Sequence, residues 1–439
     1  MRRFGLLFVL MFLEFAIWGA WLPVAATYFQ GQTPNGLGLS GLQMGVLFAL
    51  MPACSVLMSP ILGQMADRVL NTEKLLAILH LLSACSLFAL SQQKTFAGTF
   101  TFLLIHCVLY SPTVSLTTSM VLHHLDDAKK QFGNMRVAGT IGWLFSGLIL
   151  FWLRMNGKIQ ITGDLFVVAS ILSLILGLLC LFAPKTPPSI TAENRFAFGK
   201  ALKLLKNSNF MMLMVIALVV CTQFDFFYMF TPGYLTAPTL ETLNQVLPEY
   251  LMQPGYAGMG LPASKVSFYM SFAQASEIVL LLSLPFLLKN LGYRWTIYLG
   301  VVAWFLRFLL YVFFASMFGT IASILLHGFC VACFLIGGSL YVAEVASSDI
   351  RASSQALYAM VTFGFGRVLG SLIGGYIETM NTTMLPVSIS VPGMNTLDKL
   401  VNWQAIFVVP TGIMFACVVA FLFLFREKKN FSRQETQPF

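Results

Sequence analysis

Residues 4–28 read FGLLFVLMFLEFAIWGAWLPVAATY, an apolar run with a single charged side chain, Glu14, near its middle. A helix needs about 20 apolar residues to cross the hydrocarbon of a bilayer, and this stretch supplies them. Arg2 and Arg3 precede it, as a basic pair precedes a secretory signal. The run is too long for a signal's apolar region and contains an acid, so it reads as a retained first span with the arginines as its anchor.

The rest of the chain repeats the pattern. Of 439 residues, 58% are hydrophobic and 10% charged, against about 25% charged in soluble domains. The mean hydropathy of +0.81 leaves too much apolar surface for a soluble fold to hide. Twelve segments are predicted to span: 4–28, 40–64, 73–92, 98–122, 132–153, 161–183, 208–235, 264–288, 295–316, 319–344, 352–379 and 402–425. None shows the short alternating segments of an outer-membrane barrel.

Charge placement gives the orientation. Eighteen of the 26 Lys and Arg residues fall at the ends that share a side with the N-terminus. Five fall on the other side (Lys94, Arg154, Lys158, Lys265, Lys399), and Arg136, Arg307 and Arg367 lie within spans. The bias places both termini in the cytoplasm. The net charge of +9 is scattered between spans with no contiguous basic face, so it marks orientation and not a nucleic-acid partner. All eight cysteines fall in apolar spans, so no disulfide framework is expected. The Cys330-x-x-Cys333 pair lies in an apolar span and reads as packing, with no metal site.

The longest cytoplasmic break, 184–207, divides the chain six spans to six: an N-terminal half 1–184, a linker 185–207, a C-terminal half 208–428 and a tail 429–439. Between spans 2 and 3, Gly63-Gln64-Met65-Ala66-Asp67-Arg68 looks like the G-x-x-x-D-R conformational loop of the major facilitator superfamily. There Gly63 would allow a tight turn and Asp67 would accept bonds from helix ends. The expected fold is therefore an all-α membrane protein of twelve transmembrane helices in two pseudo-symmetric six-helix halves, the major facilitator fold. Small residues recur at helical spacing in Gly139, Gly142 and Ser146, and in Gly366, Gly370 and Gly374. They suit close helix approach, either as static packing or as a surface that slides during transport.

Charges inside the hydrocarbon cost about 2.5–3.5 kcal/mol each on insertion scales, so Glu14, Arg136, Asp225, Glu277, Arg307, Glu344 and Arg367 must face a cavity or a partner. Arg136, Thr140 and Trp143 share one face of span 5, and Gln274 and Glu277 share one of span 8. Asp225 pairs similarly with Tyr228 on span 7, and His327 lies about two turns into span 10. A fixed cation, hydroxyls, an amide and aromatic plates suit a ligand with a flat ring and several hydroxyls. The candidate proton carriers are Glu14, Asp225 and Glu277, because a carboxylate in hydrocarbon gains by binding a proton. Glu14 could equally be the structural partner of a buried arginine.

At these residues the sequence resembles the nucleoside:proton symporters of the major facilitator superfamily. The resemblance runs through Glu14-Phe15-Ala16-Ile17-Trp18-Gly19-Ala20-Trp21, Tyr110-Ser111-Pro112-Thr113, Arg136-Val137-Ala138-Gly139-Thr140-Ile141-Gly142-Trp143, Gln274-Ala275-Ser276-Glu277, Ala303-Trp304-Phe305-Leu306-Arg307-Phe308 and Arg351-Ala352-Ser353-Ser354-Gln355. It implies a proton-driven nucleoside importer of the inner membrane, with no cofactor beyond the coupling proton. It implies that Arg136, Thr140, Trp143, Tyr228, Gln274, Glu277 and His327 line the substrate cavity. The chain departs from the family at Asp225, where the family carries amides or small residues, and at Ala332, where it carries an acid. Asp225 is expected to supply the lost carboxylate from across the cavity.

Alternatives on the same scaffold are a proton-coupled sugar or oligosaccharide symporter and a multidrug exporter. A non-transporting membrane sensor fits less well, since no sizeable soluble domain is present. No H-E-x-x-H, G-x-S-x-G or phosphate loop argues for an enzyme. A monomer in the bilayer is the default expectation.

Overall fold

The computed structural model describes residues 2–32, 36–126, 128–157, 163–188, 202–347, 350–391 and 396–425. Among these, ten helices are long and apolar enough to cross a membrane. They give α1 (Phe4–Gln30), α2 (Gly41–Arg68), α3 (Thr72–Ser91), α4 (Phe96–His124), α5 (Met135–Met155), α7 (Ser208–Thr236), α10 (Met317–Val345), α11 (Ser353–Met380) and α12 (Trp403–Leu424). The tenth, within the continuous Val266–Phe313, is two helices joined at Gly292, α8 (266–291) and α9 (293–313). Gly292 has φ 71°, a left-handed backbone that only glycine adopts freely, so the chain reverses there without a loop. α6 (Asp164–Cys180) is apolar but shorter. With it and the divided pair, an apolar helix stands at each of the twelve expected positions.

Sequence sets the helix starts. Ser40 and Gln43 form a reciprocal capping box at the start of α2, and Thr95, Asn207 and Asn402 cap α4, α7 and α12 through their side chains. Each satisfies backbone N–H groups that hydrocarbon could not. The spans are helical as expected. The segment between α11 and α12 adds a two-stranded antiparallel hairpin, β1 (Thr382–Ile389) and β2 (Leu397–Val401), placed beyond the spans where its edges can be hydrated.

One expectation changes, and of the two readings of the glycine stripes the packing favours the static one. Gly63–Arg68 is not a loop. α2 stays helical through Arg68, and the Val69 N–H closes the last turn on the Met65 carbonyl, so the reversal falls after it. Asp67 and Arg68 are exposed on that last turn. The glycine stripes are also not a surface between the halves. Gly139 and Gly142 seat Phe15 and the Phe12 carbonyl of α1, while Gly366 and Gly370 seat Cys221 and Thr222 of α7. Both stripes join helices of the same half. Across the halves, Gly41 and Gly45 of α2 meet Gly375 of α11, and Gly147 of α5 meets Ser271 of α8. Of the proposed linker, residues 189–201 lie outside the described residues, as does the whole tail 429–439.

Buried charges clamp the helices. Glu14, fully buried, accepts from Thr113 at 2.7 Å and Thr117 at 2.9 Å and lies 3.1 Å from His80 Nε2. It thus ties α1 to α3 and α4, and its partner is a histidine where an arginine had been considered. Arg154 holds Asp164 with two bonds of 2.7 and 2.8 Å, fixing α5 to α6. Arg367 NH2 donates to Asp225 at 2.6 Å and Ser371 adds 3.0 Å, fixing α11 to α7.

Three outcomes are expected. Gly142→Leu should abolish the α1–α5 contact and lower the melting temperature of purified protein, overpacking costing about 1–3 kcal/mol. Gly63→Leu, with nothing within 4 Å of the new Cβ, should leave it unchanged. Asp225→Asn should destabilise by about 3–5 kcal/mol, because Arg367 is left as a buried charge without its counter-ion. Thermal unfolding in detergent reads all three.

Candidate functional site

Of the in-span charges, Arg136, Glu277 and the clamp residue Arg367 reach one cavity, while Glu344, expected to need a cavity or a partner, is exposed near the end of α10. Arg136, Thr140 and Trp143 from α5, Tyr228 from α7, Gln274 and Glu277 from α8, and His327 from α10 all line one central cavity of about 80 Å³. Every predicted substrate-binding residue is therefore brought to one place, from both halves of the chain. Glu14 and Asp225 are not on its wall. They are held in the clamps described above.

The polar atoms form a connected set. Thr140 Oγ1 donates to Glu277 Oε1 at 3.3 Å, a bond from the N-terminal half to the C-terminal half. Arg307 NH1 lies 3.3 Å from His327 Nδ1. A guanidinium can only donate, so Nδ1 accepts and Nε2 carries the ring proton. That proton points to the Tyr228 hydroxyl at 3.4 Å, with Glu277 Oε2 at 4.0 Å. Gln274 Nε2 also donates to the Tyr228 oxygen, at 3.4 Å. With two bonds accepted, the Tyr228 hydroxyl keeps its own proton for a solute. The indole N–H groups of Trp18 and Trp143 are buried without partners, two further donors at the cavity.

Aromatic rings take the place of water around the cations. Arg136 sits over Phe15 at 4.6 Å, Arg307 over Phe227 at 3.9 Å, and Arg367 over Phe224 at 4.7 Å and Trp18 at 5.6 Å. Each pairing offsets part of the cost of a desolvated charge. Trp143 lies 5.2 Å from Trp18 and 6.2 Å from Tyr228, centroid to centroid, leaving flat faces on the wall.

Sequence reading missed Phe15, Trp18, Phe224, Phe363 and Arg367 as wall residues. Trp18 follows Glu14 by one helical turn and Arg367 was among the buried charges, so both carried a signal. Two local features carried none. α10 widens to a π-helix at Phe329–Ile336 and α11 at Met360–Gly366. Val331, Leu335, Ile336 and Phe363 of these segments face the cavity, in keeping with the recurrence of π-bulges at functional sites. Ala332 is fully buried within the first of them.

A larger cavity, about 770 Å³, lies at the end of the bundle where α1 finishes, under the hairpin. It contains none of the mid-span polar cluster, so the central cavity is the candidate site. At 80 Å³ the central cavity is well below the roughly 300–1,000 Å³ of small-molecule sites, and the halves must part to admit a solute. Among the described residues no group of three or more His, Cys, Asp or Glu side chains could hold a metal.

The comparisons agree with this geometry. Residues 1–430 match the family described as "Nucleoside H+ symporter". The chain is 29% identical to the putative nucleoside transporter YegT of Escherichia coli K12, over 98% of this chain and 95% of that one. It is 27% identical to the nucleoside permease NupG of the same organism, over 96% and 95%. A crystal structure of NupG superimposes with a TM-score of 0.77 at 25% identity, covering 98% of this chain and all of that one. The twelve-span fold, the cavity shared by the two halves and the match over nearly the full length lead to one assignment: this chain belongs to the nucleoside H+ symporter family of the major facilitator superfamily.

Proposed function

We propose that this protein imports nucleosides together with protons, as a monomer of the inner membrane with both termini in the cytoplasm, by alternating access of its two halves. The observation that carries the reading is Glu277, a cavity carboxylate bonded across the halves to Thr140 and set among Arg136, Gln274, Tyr228 and His327. A group placed there feels the solute, the proton and the relative position of the halves together.

The base of the solute lies against Trp143 and Trp18, and its ribose hydroxyls meet Gln274, Glu277 and Tyr228. Protonation of Glu277 removes a charge from a site that Arg136 otherwise balances. With the proton on and solute bound, closing the outer end buries a neutral carboxyl in place of a charged one. On the cytoplasmic side, the Arg136 cation favours loss of the proton. Solute and proton each shift the equilibrium by their differential affinity for the two states. Glu14 and Asp225 hold helices in place, and Asp225 acts on the cavity only through Arg367.

In proteoliposomes an inward proton gradient should drive accumulation of radiolabelled uridine or adenosine, and a protonophore should collapse it. Unlabelled uridine should compete and free ribose should not. No uptake of either nucleoside by folded, inserted protein would overturn the assignment of solute. Glu277→Gln should lose gradient-driven uptake and its pH dependence. Its solute affinity should fall by about tenfold or more, as expected for a charge-assisted hydrogen bond. A variant that weakens binding yet keeps the parent's pH profile would show that Glu277 only binds solute. Trp143→Ala should lower affinity by about 1–3 kcal/mol, the worth of one base stacked on an aromatic ring, without changing the proton dependence.

A further inference from the structure

One buried carboxylate belongs neither to a helix clamp within one half nor to the cavity. Glu378, in the last turn of α11, is fully buried at the seam between the halves. From the N-terminal half, Gln30 Nε2 of α1 donates to its Oε1. From the hairpin, Lys399 Nζ stands 3.9 Å from the same oxygen. The other oxygen, Oε2, is buried with no partner. α2 closes over it so tightly that a Cβ at Gly41 would stand 2.7 Å from Oε2. Beside it, the Leu42 N–H of α2 donates to Thr379 Oγ1 of α11 at 3.0 Å. Farther out, Thr396 donates to Gln32 at 2.8 Å. Facing Glu378, α1 offers an amide, α2 a glycine, and β2 a lysine with Asp398 as its neighbour in sequence. Gln30 and Lys399 also line the 770 Å³ chamber, which brings water to the carboxyl's two partners.

We propose that Glu378 is the latch of the outer gate, and that gate closure takes up one proton from the outer side onto this carboxylate. The proposal rests on the reading that the termini are cytoplasmic, which puts this end of the bundle outside. Desolvation of the carboxylate links the proton to the gate. With the halves parted, Glu378 meets water and ionises. With them closed, its charge is buried against one amide and one lysine beyond hydrogen-bond reach, while Oε2 has nothing. Adding a proton removes the buried charge and keeps the bond from Gln30. The closed state thus favours the protonated carboxyl, so acid favours closure and rising pH favours opening. The proton is taken from the outer solution on closing and returned to it on reopening. Glu378 thus sets the gate equilibrium and adds nothing to the protons carried per solute. It is a positioning residue for transport that does not touch the solute.

The test is the distance across the gate without any solute. Spin labels would be placed at Lys94→Cys and Tyr250→Cys, exposed positions in outer loops of the two halves, with Cys85 replaced by Ser. Pulsed electron spin resonance would follow the distance in lipid nanodiscs between about pH 5.5 and 8. The closed-to-open ratio should fall by about tenfold for each pH unit by which closing raises the carboxyl's proton affinity. Glu378→Gln should stay closed and lose the dependence. Lys399→Gln should match the parent in acid and open further at high pH, because the ionised carboxylate has lost its counter-ion. The Lys399 arm keeps the test informative if the Glu378 variant fails to fold. A parent that does not respond to pH, or a Glu378→Gln protein that titrates like it, would overturn the proposal. Nucleosides are absent throughout, so failure of uridine uptake leaves this result standing, and a silent gate leaves the uptake reading standing.

Discussion

Hydrocarbon offers a charge no water and a backbone no partner, and this constraint organises the molecule. The described spans are helical, as hydrocarbon demands of a backbone, so the chain's freedom lies in where it puts its few charged side chains. Glu14, Asp225 and Arg154 are matched within one half, to His80, Arg367 and Asp164. Breaking such a pair leaves a charge in a medium that cannot solvate it. Rearrangement that separates these pairs is therefore costly.

The contacts across the halves are of a different kind. They include a few single hydrogen bonds, among them Thr140 to Glu277, Leu42 to Thr379 and Gln30 to Glu378, ring contacts such as Trp143 with Tyr228, and glycine surfaces in which Gly41 and Gly45 meet Gly375. Glycine contacts give close approach with no side chains to unlock, and single bonds can be exchanged for bonds to water. Strong pairs inside the halves and weak ones between them are what a rocking mechanism needs. The two π-helical segments lie where α10 and α11 border the central cavity, at the meeting point of the moving parts.

Legibility in the sequence followed the range of the interaction. The spans were readable because hydropathy is summed over about 20 neighbouring residues, and even the 17-residue α6 emerged at its place. Arg136, Thr140 and Trp143 were readable as a set because helical spacing puts them on one face. Gln274 with Glu277 followed the same rule. The Gly63–Arg68 segment was misread as a loop because nothing in those residues compels the helix to stop; only the Val69 N–H bond to Met65 shows that it goes on. The glycine stripes were visible, but a stripe does not name its partner, and here the partners were α1 and α7 of the same half.

The sequence by itself determined the solvent, the number of spans, the family and the residues too costly to leave in lipid, because each depends on composition or on local periodicity. The tertiary structure alone decided which of those costly residues pair and which remain at the cavity. Asp225 and Glu277 are both acids on helices of the C-terminal half. One is held by Arg367 and Ser371, while the other reaches across to Thr140. Glu378 gave no signal of its own at the end of its span, and became a candidate gate only because α1, α2 and the hairpin close on it. A charge in hydrocarbon is defined by its partner, and partners here are as far apart in sequence as Gln30 and Glu378, a distance that no local pattern spans.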